Sequence, residues 1–165
     1  MSYGFNAGEV FKVAIQIEEN GRKFYEESQK SIENTQVKAL FAELAQQEIE
    51  HKKKFETLRA QLPPESTAPT VWDPENEMDQ YIKMMAEDHI FVSSAHLKSQ
   101  VDQIRDAADA LKLAIEFEKD SVLFFLSFEE AVTGKKDQEL IKSLVKEEQE
   151  HLRRLTLELR KTLKK

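Results

Sequence analysis

The sequence contains no cysteine, only four glycines and four prolines, and no long uncharged apolar run. Without cysteine the chain cannot form disulfides, zinc ribbons, iron–sulfur clusters or thiol nucleophiles, so any metal must be held by oxygen and nitrogen ligands. No stretch approaches the roughly 18 to 20 apolar residues of a transmembrane helix, and the N-terminus lacks the basic and apolar regions of a signal peptide. We therefore expect a cytoplasmic protein with no membrane partner.

The composition favours one helical domain with an acidic surface. Charged residues make up 33% of the chain and the net charge is −7, which together with the scarcity of glycine and proline is typical of helical proteins. Nucleic-acid binding requires clustered Lys and Arg, so we expect no nucleic-acid partner. The 165 residues suffice for one hydrophobic core, and we predict a single domain over residues 1–165.

Two copies of a short motif organise the sequence. Glu48–His51 is EIEH and Glu148–His151 is EQEH, 100 residues later, and each copy has a glutamate three residues before a histidine. The same offset aligns AIQIEENGRKFY with AIEFEKDSVLFF without a gap and places Glu18 over Glu118. This alignment predicts that the chain is built from one duplicated unit.

Each copy of the repeat predicts a pair of antiparallel helices. Apolar residues recur at steps of three and four across residues 7–62 and again across residues 106–162, which is the pattern of helices with one buried face. The first pair turns near Asn34, which is predicted to be a left-handed C-cap, and Thr35 is predicted to be the next N-cap. In the second pair, Gly134 is predicted to end the first helix.

A long connection separates the two pairs. Residues 63–105 contain a proline-rich stretch and two predicted short helices, over 75–88 and 94–101, and the next long helix is predicted to begin at Asp106. Adjacent antiparallel helices are joined by only about 2 to 8 residues, so this connection can carry the chain to the opposite end of the bundle. We predict an all-α, ferritin-like four-helix bundle with a long crossover after its second helix.

Six acidic and imidazole side chains fall on the buried faces of the four helices: Glu18, Glu48, His51, Glu118, Glu148 and His151. Residues equidistant from the turn of a helix pair lie at one height, and the midpoints here fall at about residues 34 and 134. The six side chains should therefore meet in one cross-section.

Four buried carboxylates require compensating positive charge, which two divalent metal ions would supply. Carboxylate with imidazole suits iron or manganese and also accepts zinc, and a metal-free bundle is the alternative.

With this ligand pattern, the sequence resembles rubrerythrin-type members of the ferritin-like diiron-carboxylate superfamily over about residues 7 to 162. The resemblance implies that the same six residues ligate two iron ions and form the catalytic centre, with Glu48 and Glu148 bridging the metals. Rubrerythrins proper also carry a rubredoxin-like domain with a four-cysteine iron site. Because this sequence has no cysteine, an external electron donor protein would be required. Rubrerythrins also carry a further glutamate where this sequence has Ser121.

The function implied by the resemblance is that of an oxidoreductase that reduces dioxygen or hydrogen peroxide. Two alternatives stay open. One is a non-enzymatic protein for iron binding, buffering or storage, and the other is a structural bundle for dimerisation. We expect the chain to form a homodimer.

Five further residues carry expectations of their own. Tyr25 is either a redox relay near the centre or a core residue with a satisfied hydroxyl. Gly21 and Ser121 are small, and we predict that they leave room for a small oxygen ligand beside the metals. His89 and His96 have no acidic residue three positions before them, and we predict that both lie at the surface.

Overall fold

The computed structural model describes residues 7–62, 93–132 and 134–164, together with the single positions 75, 77, 80, 81, 84, 85 and 89. Most of these residues lie in α-helices, which in chain order are α1 (Ala7–Ser28), α2 (Thr35–Ala60), α3 (Ser94–Val101), α4 (Ala107–Ala131) and α5 (Lys135–Leu163). The described residues include no strand, and the all-α prediction is confirmed. None of the described helices combines the length and the apolar character needed to cross a bilayer.

The turn between α1 and α2 differs from its prediction. Asn34 is the N-cap of α2, and its side-chain oxygen accepts hydrogen bonds from the backbone N–H groups of Gln36 and Val37 at 3.0 and 3.1 Å. Its φ of −63° is not left-handed. The predictions of Asn34 as a left-handed C-cap and of Thr35 as the N-cap are wrong, because the Asn34 amide satisfies free N–H groups at the start of α2.

The turn of the second pair shows one correct and one incorrect prediction. Asp106 is the N-cap of α4, as predicted, and its carboxylate accepts a hydrogen bond from the backbone N–H of Asp109 at 2.9 Å. The prediction that Gly134 ends α4 is wrong, because α4 ends at Ala131. Gly134 is instead the N-cap of α5, with an ordinary φ of −77°.

The crossover is described only in its last part and at isolated positions. The short helix predicted over 94–101 is confirmed as α3, and the Ser93 hydroxyl caps it by accepting a hydrogen bond from the backbone N–H of His96 at 3.2 Å. The proline-rich stretch and most of the helix predicted over 75–88 lie outside the described residues.

The four long helices pack as two pairs around one core. Helix α1 packs along α2 and α4 packs along α5, while further contacts join α1 to α4 and α2 to α5. The positions on the predicted apolar faces are buried on all four helices, for example Phe11, Phe41, Leu111 and Ile141. The apolar periodicity of the sequence therefore identifies the core correctly.

Aromatic side chains pack above and below the middle of the bundle. On one side the ring centroids of Phe11 and Phe128 are 4.6 Å apart, and those of Phe55 and Phe125 are 5.0 Å apart. On the other side Tyr25 packs edge-on against Phe41 at 5.0 Å. These layers keep water from the cross-section between them, where the acidic residues of the repeat lie.

Candidate metal centre

Four helices bring their acidic and imidazole side chains into one buried cluster of two overlapping groups. The first group, here called the His51 position, consists of Glu18, Glu48, His51 and Glu148. The second group, called the His151 position, consists of Glu48, Glu118, Glu148 and His151. In each group the ligand-type atoms lie within 4.8 Å of one another, and all six residues are at most 2% exposed. The six side chains thus converge as the repeat predicts, and Glu48 and Glu148 belong to both groups.

Both imidazoles present Nδ1 to the centre of the cluster. Nδ1 of His51 lies 2.6 Å from Glu148 Oε1 and 3.5 Å from Glu18 Oε2. Nδ1 of His151 lies 3.1 Å from Glu148 Oε2 and 3.3 Å from Glu118 Oε1. The two oxygens of Glu148 therefore face different histidines, which is the arrangement needed for a carboxylate shared between two metal ions.

The buried ligand-type atoms lack hydrogen-bond partners. Within the described part of the chain, the atoms that make no hydrogen bond include both oxygens of Glu18, Glu48 and Glu148, one oxygen of Glu118, and Nδ1 of both His51 and His151. Buried polar atoms are almost always hydrogen-bonded, so this concentration at one point indicates a cationic partner. Carboxylate oxygens and imidazole nitrogens fit divalent iron, manganese or zinc. The residues present are therefore compatible with binding metal ions.

In the metal-free chain, protons compensate part of the negative charge. Burial, together with the negative charge of neighbouring carboxylates, raises the pKa of Glu48 and of Glu118 well above the usual range. Burial would also raise the pKa of Glu148, but the charges of His51 and His151 lower it overall. Burial would lower the pKa of the two imidazoles, but the surrounding carboxylates raise it. A metal ion must displace these protons when it binds.

Glu147 on α5 lies directly behind the cluster and is not among the site residues predicted from the sequence. His51 donates a hydrogen bond from Nε2 to Glu147 Oε2 at 3.0 Å, and Lys54 donates to both oxygens of Glu147 at 2.9 and 3.0 Å. The hydrogen bond from His51, assisted by Lys54, lowers the pKa of Glu147 to about 2. Because an ionised carboxylate can only accept, Nε2 carries the proton and Nδ1 faces the cluster. A comparison of the two repeats, which pairs Glu147 with Gln47, could have drawn attention to this position.

His89 is buried, and its predicted surface location is wrong. It is 2% exposed, its Nε2 lies 3.2 Å from Ser121 Oγ, and its ring packs edge-on against Phe117 at 5.6 Å. Burial lowers the pKa of His89 to about 4, so the ring is neutral at pH 7. This contact could not be predicted from the sequence, because His89 lies in the crossover and Ser121 lies in α4. Apolar periodicity relates residues only within one helix. His96 is exposed, as predicted.

The space beside Gly21 is filled rather than open. A Cβ atom added to Gly21 would lie 2.5 Å from Phe117 Cζ and 3.4 Å from Glu48 Oε2. The predicted room for a small ligand is therefore absent at Gly21, where the Phe117 ring occupies it. At Ser121, the equivalent position in the second repeat, the side chain faces His89.

Tyr25 is a core residue with a satisfied hydroxyl. It is fully buried and donates a hydrogen bond to Glu118 Oε1. Burial and the negative charge of Glu118 raise the pKa of Tyr25 well above its usual value, so the hydroxyl keeps its proton. A role of Tyr25 as a redox relay stays a prediction.

Comparisons with known proteins agree with this geometry. The family model described as Rubrerythrin matches residues 9–159. A crystal structure from Thermotoga maritima, of a protein described as ferritin-like and diiron-carboxylate, has a TM-score of 0.69 at 22% sequence identity, covering 98% of this chain and 99% of that chain. At this identity the likeness shows the fold alone, and it confirms the ferritin-like prediction. No curated protein matches the chain in sequence.

Proposed function

The chain belongs to the rubrerythrin family, and on that premise we propose that it is an oxidoreductase that uses two iron ions to reduce dioxygen or hydrogen peroxide. The observation that carries this proposal is the set of buried carboxylate and imidazole atoms without hydrogen-bond partners. Without metal, the chain can offset the negative charge of these groups only in part, through protons held by the cluster itself, and the cost of burying the remaining groups stays.

Iron is the metal we propose for both positions. Carboxylate and imidazole ligands without thiolate suit iron or manganese and also accept zinc. Iron, unlike zinc, changes its oxidation state, and it would supply the electrons for the reduction of dioxygen or peroxide. The His51 position and the His151 position would each hold one ion, with Glu48 and Glu148 contacting both.

The chain itself contributes ligand placement, exclusion of water and proton control. The aromatic layers on both sides of the cluster keep bulk water out, which strengthens every charge interaction within it. The Tyr25 hydroxyl donates a hydrogen bond to Glu118 Oε1. Glu147 accepts a hydrogen bond from His51 Nε2 and so keeps the imidazole proton on that nitrogen. Reduction of one hydrogen peroxide to two waters consumes two electrons and two protons. Because the sequence has no cysteine to hold a further iron centre, we propose that a separate carrier protein delivers the electrons.

The test is reductant-dependent turnover. The chain, loaded with ferrous iron without oxygen, is mixed with hydrogen peroxide or dioxygen in the presence and absence of a chemical reductant. We expect many equivalents of oxidant to be consumed per chain when reductant is present. A variant with both shared ligands neutralised, Glu48→Gln/Glu148→Gln, should lose iron and activity together.

Two other outcomes would favour the alternatives. Iron that is bound and oxidised once, without further consumption of oxidant, would favour a non-enzymatic protein for iron binding, buffering or storage. A wild-type chain that binds no divalent metal would favour a structural bundle. Sedimentation of the same samples would test the expected homodimer.

A further inference from the structure

The repeat makes the six residues of the cluster equivalent in pairs, but the residues behind them are not equivalent. At the His51 position, a carboxylate, Glu147 on α5, accepts a hydrogen bond from the outer nitrogen of the imidazole. At the His151 position, a hydroxyl, Tyr25 on α1, donates a hydrogen bond to Glu118. These two contacts come from different helices, so each can be changed without the other.

The residue that corresponds to Glu147 in the other repeat is Gln47, which carries no charge. Its carboxamide oxygen is buried and accepts no hydrogen bond from the described residues. In this half, the carboxylate of Glu43, one helical turn before Gln47, links α2 to α5. It accepts hydrogen bonds from Nη1 and Nη2 of Arg154 at 2.9 and 2.6 Å. His151 therefore has no counterpart of the hydrogen bond between His51 and Glu147 within the described part of the chain.

Tyr25 also has no polar counterpart. The repeat places Phe125 at the equivalent position, and its ring packs against Phe55 with centroids 5.0 Å apart. Glu118 thus receives a hydroxyl hydrogen bond that the phenylalanine cannot offer to Glu18. Both halves fill this position with an aromatic ring of similar size, so the difference lies in the single O–H group.

Both contacts favour the His51 position over the His151 position. A carboxylate that accepts from one imidazole nitrogen increases the basicity of the other nitrogen and fixes the ring orientation, which improves that nitrogen as a metal ligand. A hydroxyl that donates to a carboxylate stabilises its negative charge and so leaves less of that charge to attract a metal ion. The first contact strengthens the His51 position, and the second weakens the His151 position.

We propose that these contacts make the two metal positions unequal, and that the His51 position binds a divalent metal ion more tightly than the His151 position. The inference rests on the metal centre of the proposed function and requires no reaction there. Glu147 acts as a positioning residue, because it touches His51 and not the metal. At limiting metal the chain would hold one ion at the His51 position, and the second ion would enter only afterwards.

Zinc is the probe for the test, because it is diamagnetic and does not change oxidation state. Calorimetric titration of the metal-free chain should show two steps that differ in affinity by about tenfold or more. Proton–nitrogen NMR of the imidazole rings during the same titration should show His51 responding to the first equivalent of zinc and His151 to the second. The ring signals are assigned with His51→Asn and His151→Asn variants.

Substitutions in both repeats give matched tests. Glu147→Gln keeps the size of the side chain and removes its charge, and it should weaken the first step by about 10- to 100-fold. Gln47→Glu should tighten the second step, and the double swap should reverse the order in which the two rings respond. Tyr25→Phe should tighten the second step and leave the first unchanged. Glu150→Gln removes a negative charge from the exposed face of the same helix and should change neither step.

The outcomes separate this inference from the proposed function. Simultaneous response of both rings in the wild type, or unchanged steps in Glu147→Gln, would overturn the inference. A wild-type chain that takes up no zinc and no ferrous iron would overturn the inference and the proposed function together. A chain that fills in the proposed order but consumes no peroxide when loaded with iron would keep the inference and refute the proposed reaction.

Discussion

The hydroxyl of Tyr25 on α1 donates a hydrogen bond to the carboxylate of Glu118 on α4, so a single contact joins the two halves of the repeat inside the bundle. Both residues are fully buried. Water cannot replace either partner there, and the contact contributes to the stability of the fold as well as to the cluster.

Tyr25→Phe tests the contribution of this hydrogen bond to folding. The variant leaves Glu118 Oε1 buried without its donor, which should lower the free energy of unfolding of the metal-free chain by about 1 to 3 kcal/mol. Packing should be unaffected, because the other repeat accommodates phenylalanine at this position. Urea unfolding with an unchanged m-value measures the effect. Tyr81→Phe, at a tyrosine that is 42% exposed, serves as the control and should change stability by no more than about 0.5 kcal/mol.

Metal binding should stabilise the fold and release protons. Metal at about 100 times its dissociation constant adds about 2.7 kcal/mol, which corresponds to a rise in Tm of about 5–10 °C for a chain of this size. Because the pKa values of Glu48 and Glu118 are raised, these residues hold protons in the metal-free chain, and binding should weaken as the pH falls. Scanning calorimetry and a pH-stat titration measure the two effects. An unchanged Tm at saturating metal, with no proton release, would contradict this prediction.

The duplication explains why so much of the centre could be predicted. Burial of Glu18 and Glu118 follows from their positions on apolar faces with steps of three and four, and the turn midpoints place them level with the two motifs. Such reasoning requires periodicity along one helix. It could not reveal Glu147, whose side chain is 41% exposed and whose partner His51 lies on another helix. It could not reveal the burial of His89 either, because His89 lies in the crossover and the residues that it contacts, Ser121 and Phe117, lie on α4.

Gly21→Ala should destabilise the chain, although alanine is the better helix former. The added Cβ would lie 2.5 Å from Phe117 Cζ and 2.8 Å from Phe117 Cε1, so the ring has to move within a packed core. We expect a loss of about 1–3 kcal/mol from this overpacking, partly offset by the gain of about 1 kcal/mol in helix propensity. Urea unfolding measures the net change.

The repeat supplies the rescue experiment for this variant. Ile17 occupies the position that corresponds to Phe117, so Phe117→Ile introduces a side chain that the other half already tolerates. Combined with Gly21→Ala, it should recover at least about 1 kcal/mol relative to the sum of the single variants. Additive losses would mean that the contact with Phe117 is not the cause.

His89 should make the stability of the chain depend on pH. Burial lowers the pKa of His89 to about 4 from an ordinary value of 6.5, and the negative charge of Glu148 opposes this only in part. Between these two pH values the unfolded chain binds a proton at His89 that the folded chain does not bind. The contribution of the neutral ring is therefore fully present above about pH 6.5 and is lost as the pH falls towards 4, by about 3 kcal/mol in total.

Other groups titrate in the same range, so the measurement must isolate His89. The cluster carboxylates with raised pKa values, such as Glu48 and Glu118, act in the opposite direction, because the folded chain binds their protons more tightly than the unfolded chain.

His89→Gln removes only the imidazole titration and keeps a polar group that can reach Ser121. Urea unfolding of both metal-free proteins from pH 7 to pH 4 should show the wild type losing its advantage over His89→Gln as the pH falls. His96→Gln, at an exposed histidine, serves as the matched control substitution. A difference between the wild type and His89→Gln that is constant from pH 7 to pH 4 would mean that His89 is not held neutral by burial.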